Sequence, residues 1–116
     1  MRRGEVYWAE LTPRSGSEQR GRRPVVVVSH DAFNEAASWR SVIVVPLSTS
    51  ARQTRRGPTA VAIDRGAAGL RAASVALCHQ VTTLDRAKLV ERIGALSPAD
   101  LGRVGEGLRI AIDLDA

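Results

Sequence analysis

The fold class the sequence predicts is mainly β, an antiparallel barrel-like domain with one C-terminal helix, and three observations predict it. Short runs rich in Val, Ile and Leu recur between polar, Gly- or Pro-containing segments as far as residue 95. Only the last twenty or so residues carry apolar side chains at helical spacing. No strand–helix–strand alternation intervenes, so a parallel sheet has no crossover to build it. At 116 residues the chain suits one domain, 1–116, with one economical core.

The elements follow in order. Gly4 opens a strand from Glu5 to Leu11, in which Val6 and Trp8 alternate with Glu5 and Tyr7. A polar loop, Thr12 to Gly21, comes next, and a loop of that length in a compact domain is usually functional or disordered. Arg23-Pro24 leads into Val25–Val28, a β-branched run that reads as a strand covered on both faces. Residues 30–39 read as a loop with one helical turn. Ser41 to Leu47 is a second buried strand, ending at Ser48-Thr49-Ser50 before a basic loop from Arg52 to Gly57.

Ala60–Ile63 is a short strand and Asp64–Leu70 a Gly-rich turn. From Ser74 onward a strand is expected to carry Val75, Leu77, His79 and Val81 on one face, with Ser74, Ala76, Cys78 and Gln80 on the other. Leu89 to Ala95 completes the strands. Ser97-Pro98-Ala99-Asp100 is a helix start, with a Ser N-cap, Pro in the first turn and an acid beside it. Leu101, Val104, Leu108 and Ala111 or Ile112 form the apolar face. Gly102, Gly105 and Gly107 weaken this helix by up to about 1 kcal/mol each, so packing on the sheet must hold it.

Charge is distributed unevenly. Residues 1–56 hold ten Arg and five acids, whereas residues 57–116 hold seven basic and seven acidic groups, so the net +5 lies in the first half. A one-sided excess suits a polyanion, because phosphate neutralisation releases counterions. Tyr7, Trp8, Phe33 and Trp39 are the whole aromatic set, which argues against a stacking platform of the RRM or OB type. Cys78 is the sole cysteine, and His30 and His79 lack ligand spacing, so neither a disulfide nor a metal site is expected. The start of the chain has no apolar h-region and no run approaches a membrane span, so the protein is expected in the cytoplasm.

P-loop, dinucleotide, nucleophile-elbow and His-pair metal motifs are all missing. What is left for chemistry is Arg, hydroxyls, carboxylates and histidine. That set suffices for cleavage of RNA by its own 2′-OH, where the substrate brings the nucleophile and the protein stabilises a dianionic phosphorane.

Several segments carry a resemblance. Arg3-Gly4-Glu5-Val6-Tyr7-Trp8, Gly16-Ser17-Glu18-Gln19 followed by Arg23-Pro24-Val25-Val26-Val27, and Val45-Pro46-Leu47-Ser48-Thr49-Ser50 resemble successive motifs of the MazF/PemK toxins. Ser74-Val75-Ala76-Leu77 with His79-Gln80-Val81, then Ile93-Gly94 and the capped helix, continue the match. The resemblance implies an SH3-like antiparallel barrel, a two-fold homodimer, and metal-independent, sequence-selective cleavage of single-stranded RNA. It also implies the toxin role in a type II toxin–antitoxin system, restrained by a cognate antitoxin with an acidic tail; no cofactor is implied.

Carried over by position, Arg23 is the phosphate-facing catalytic residue, Ser48 stands where Thr is usual, and Glu18 is the assisting acid of the loop. Thr49 is a substitute hydroxyl. His79 replaces a usual Asp or Glu, and its strand neighbours favour an interior or interface role over proton transfer. Arg3, Ser17, Gln19, Arg20, Arg22, Arg52, Arg55, Arg56 and Gln80 are the candidate RNA contacts. The rival reading is a non-catalytic gyrase poison of the CcdB type on the same fold, in which Arg23 and Ser48 are scaffold.

Overall fold

The computed structural model describes residues 1–11, 16 and 21–114. Seven strands run in the order β1 (Glu5–Glu10), β2 (Arg22–Val27), β3 (Ser41–Ser48), β4 (Ala60–Ile63), β5 (Ser74–Leu77), β6 (Thr82–Asp85) and β7 (Leu89–Ala95). A one-turn helix α1 (Asp31–Asn34) lies between β2 and β3, and α2 (Pro98–Ala111) closes the chain. Every strand pairing is antiparallel, and the sheet order is β4-β5-β3-β2-β1-β7 with β6 also on β3. The barrel-like, mainly β expectation holds, although the ladder does not close edge to edge. In place of a β4–β7 pairing, the turn at Ala67–Gly69 lies against β7. A side chain at Gly94 would meet the Ala68 carbonyl oxygen at 2.3 Å, so glycine is what permits that approach.

β2 is covered on both faces, as its β-branched run predicts. Val25, Val26 and Val27 are all fully buried, each worth about 1.5–3 kcal/mol of apolar burial. Alternation deals them to two cores. Val26 joins Val6, Val45, Leu47, Ala76 and Val104, on the side that α2 covers. Val25 and Val27 join Ala9, Leu11, Val42, Val44 and Leu84 on the other side.

The long strand expected from Ser74 to Val81 is interrupted. β5 ends at Leu77, a 3₁₀ turn occupies Cys78–Gln80, and β6 starts at Thr82. β6 pairs with Ser41–Val44 and β5 with Leu47–Ser48, so the break falls beside Val45 and Pro46, the latter unable to donate to a ladder. The break falls where β3 changes partner: Ala76 and Cys78 both enter the core that α2 covers, and the chain turns directly after them. Cys78 packs against α2, where its thiol lies 3.5 Å from the Val104 carbonyl and burial pushes its pKa up to about 11. His79 belongs to that turn and is exposed in the single chain, so of the interior and interface placements expected for it only the second is compatible.

Smaller differences have equally local causes. Residues Ala51–Arg56, expected as irregular loop, form a 3₁₀ helix. The single turn α1 is as expected; His30 caps it, with Nδ1 accepting from the Ala32 N–H at 2.9 Å. Arg86 binds its far end, donating to the carbonyls of Phe33, Ala36 and Trp39.

The start of α2 matches its sequence signature, since Ser97 Oγ accepts from the Asp100 N–H at 3.1 Å. Val104 is fully buried and Leu101 and Leu108 pack beside it, while Ile112 lies past the last turn and is 60% exposed. The helix glycines differ sharply. A methyl at Gly107 would meet Cys78 Sγ at 2.7 Å and Val61 Cγ2 at 3.0 Å, whereas nothing lies within 4 Å of one at Gly102. Gly102→Ala should stabilise the protein by up to about 1 kcal/mol through helix propensity. Gly107→Ala should destabilise it by about 1 kcal/mol, because overpacking outweighs the same gain. Urea unfolding of both variants checks this; stabilisation by both would contradict the packing described.

Candidate functional site

The β2–β3 ladder pairs Val27 with Val44, Val26 with Val45 and Val25 with Pro46. The observed pairs end at Val25 and Pro46, and Ser48 itself pairs with Val75 of β5; the same register continued by two residues would bring Arg23 level with Ser48. By alternation these two share the face of Val25, Val27 and Val44. Arg22 and Thr49 fall on the opposite face, with Pro24, Val26 and Leu47. One end of one strand pair thus carries exposed Arg22, Arg23 and Thr49 with Ser48 buried among them. Ser48 is buried, and its Oγ accepts from the Ser50 N–H at 3.1 Å, a turn contact that leaves the hydroxyl proton free to be donated. The loop between β1 and β2 opens at this same end, where the Leu11 N–H donates to the Gly21 carbonyl at 2.9 Å.

On the Arg22 side lies a cleft of about 610 Å³, the size of a small-ligand site. Trp8, Pro24 and Leu70 give it an apolar lining, and Arg22, Arg71, Arg92, Thr49 and Glu91 supply polar groups. The Arg22 guanidinium stands over the Trp8 ring, 5.6 Å from its centroid, and pairs with Glu91 at 3.5 Å. That ion pair is exposed on both sides and contributes little. Arg92 is held more firmly, donating from Nε to Glu5 at 2.7 Å. Burial pushes the Glu5 carboxyl up, but bonds from Arg92, the Arg2 N–H and the Tyr7 hydroxyl outweigh it and hold the group below its ordinary 4.5. Tyr7 is shifted the other way, by burial first and by the Glu5 charge second.

The other sequence candidates scatter. Arg3 sits at the opposite end of the β1–β2 pair, its Nε donating to the Val28 carbonyl at 3.2 Å and its N–H to Asp31 at 2.6 Å. It is therefore not brought to the surface that Arg22 and Arg23 share, because it is held against the chain leading into α1. Arg52 and Arg55 are exposed on the 3₁₀ helix that follows Thr49. His79 and Gln80 belong to the turn between β5 and β6. Ser17, Glu18, Gln19 and Arg20, and the side chain of Arg56, lie outside the described residues. Sequence reasoning missed Trp8, Arg71 and Arg92. Trp8 was legible from its alternation with Val6, but Arg71 reaches the cleft from a turn, whose course no periodicity records. Among the described residues no group of three His, Cys, Asp or Glu side chains could hold a metal ion.

Residues 2–112 match the family described as PemK-like, MazF-like toxin of type II toxin–antitoxin system. The chain belongs to that family. Endoribonuclease EndoA of Bacillus subtilis is 36% identical over 114 residues, covering 98% of this chain and 96% of the relative. Among solved structures, a mycobacterial endoribonuclease in complex with its cognate antitoxin superposes with TM-score 0.80 at 27% identity, over 100% of this chain and 98% of that one. MazF from Deinococcus radiodurans does so with TM-score 0.79 at 26% identity, over 98% and 97%. These MazF-type folds bear out the mainly β reading with its terminal helix.

The Glu5 cluster ties β1 to β7 behind the cleft and makes a pH prediction. A carboxyl whose folded pKa is depressed stabilises the fold above its ordinary value, and that contribution is lost as pH falls through the folded one. Stability should therefore drop from about pH 4.5 downward. Glu5→Gln should lower stability at neutral pH and flatten that acid limb; an unchanged limb in urea midpoints measured against pH would count against the cluster.

Proposed function

We propose that this MazF/PemK-family toxin is a metal-independent, sequence-selective endoribonuclease for single-stranded RNA, with Arg23 and Ser48 at its centre. The observation that supports the reading is the match of residues 2–112 to this toxin family, and the β2–β3 register, continued past its last observed pair, would bring Arg23 level with Ser48. The reaction needs only the substrate's own nucleophile. The 2′-oxygen bonds to the adjacent phosphorus, the bond from phosphorus to the 5′-oxygen breaks, and a 2′,3′-cyclic phosphate is left behind. One proton leaves the 2′-hydroxyl and one reaches the departing 5′-oxygen. Arg23 serves the phosphorane, whose charge a planar fork of donors meets better than a point charge would. Ser48, with Thr49 beside it, orients the phosphate, Glu18 is the assisting acid that the family motif implies, and His79 is a supporting candidate.

The toxin works as a homodimer in the cytoplasm and is restrained by an antitoxin whose acidic tail competes with RNA for the Arg-bearing surface. The antitoxin seen with the mycobacterial relative supports that partnership, and the basic excess of residues 1–56 supports the competition. A gyrase poison, by contrast, has no use for an Arg–Ser pair at this end.

Purified protein should cut a long RNA into discrete fragments in EDTA. Arg23→Ala should slow that cleavage by about 10²–10³-fold or more, with circular dichroism and dimerisation unchanged. A folded Arg23→Ala variant that cleaves at the wild-type rate would remove Arg23 from the site. One that still arrests growth without cleaving would point to the poison.

A further inference from the structure

Of the residues lining the cleft on the Arg22 side, the chemistry just proposed uses Thr49 alone. Alternation turns Arg23 and Ser48 toward the other face, yet their chain neighbours Arg22 and Thr49 line the cleft, so the two surfaces meet at the sheet end. We infer that the cleft is a nucleotide subsite of the RNA track, in which Trp8 stacks a base flanking the cut and Arg71, with Arg22, holds its phosphate. This inference rests on the nuclease reading.

Four observations support it. Trp8 is half-buried, so one part of the indole is fixed by the fold while another faces the cleft. Its ring already has a delocalised cation over it in the Arg22 guanidinium, 5.6 Å from the centroid, so this face of the indole is turned toward the cleft's cations. The pair that holds Arg22, with Glu91, is exposed at 3.5 Å and easily exchanged for a phosphate. Arg71 is exposed with no carboxylate partner among the described residues, and Glu91 is the lone acid of the lining, so the cleft carries a positive balance. A single stacking residue also agrees with a chain that has too few aromatics for a platform. An acidic peptide would find the same cations but would have no need of the ring.

The test uses the full-length dimer carrying Trp39→Phe, which leaves Trp8 as the only indole. A long 2′-O-methyl RNA, which cannot be cleaved by its own 2′-oxygen, should quench Trp8 fluorescence. Its binding should weaken about tenfold in Trp8→Leu and much less in Trp8→Phe. Arg71→Ala should weaken it as well and flatten its salt dependence. With cleavable RNA, Trp8→Leu should raise KM more than it lowers kcat, and the penalty should shrink for a substrate trimmed to the nucleotides at the cut. If Trp8→Leu and Arg71→Ala both bind the RNA as the parent does, the subsite is overturned. Quenching by polyglutamate but not by RNA would overturn it in favour of a peptide site. Quenching by RNA in a protein that cleaves none would leave the subsite standing and sink the nuclease reading alone.

Discussion

The register of β2 against its neighbours is the constraint on which the rest of this molecule depends. The strand is hydrogen-bonded to β1 on one side and β3 on the other while both its faces are buried, so two ladders hold one alignment, with Val26 level with Val6 and Val45. Three fully buried valines therefore hold the chain from Arg22 to Pro24 in place as well. Whatever those arginines do, their directions follow from apolar packing some residues away. Two consecutive cations diverge to two surfaces because the valines behind them diverge to two cores.

The same logic explains which features were legible in the sequence. Val25–Val28, Ser41–Leu47 and the capped helix announce themselves through composition, periodicity and a Ser-Pro start, and each stands close to its expected bounds. The stretch from Ser74 to Val81 does not, because nothing in its alternation marks the point where β3 changes partner from β5 to β6. Cys78 packs against α2 just there, and glycine at position 107 of the helix gives the thiol room. The turn there leaves His79 exposed in the single chain. For the site, Arg23, Ser48 and Arg22 could be picked out by motif, whereas Arg71 and Arg92 could not. They come to the cleft from a turn and from β7, and only the fold brings these distant segments beside β1.

Charge, too, is organised by position more than by amount. Arg92 is committed to Glu5 and Arg3 to the corner near α1, so neither is simply part of a basic surface. Arg22 and Arg71 are only weakly restrained or exposed beside an indole, while Arg52 and Arg55 stand on the 3₁₀ helix after Thr49. The arginines most available to a polyanion thus gather near the end of β2 and β3, and the structural ones lie away from it or behind it. This division suits a small protein that must bind phosphates without supplying a nucleophile of its own.

The central claim is that this sheet end promotes attack by the RNA's own 2′-oxygen. Mass spectrometry of the fragment ends, after digestion of a defined single-stranded RNA in EDTA, tests it most directly. The account predicts a 2′,3′-cyclic phosphate, or the 3′-phosphate formed when it opens, on one fragment and a 5′-hydroxyl on the other. Fragments ending in a 3′-hydroxyl and a 5′-phosphate would mean that water attacked instead, and would contradict it.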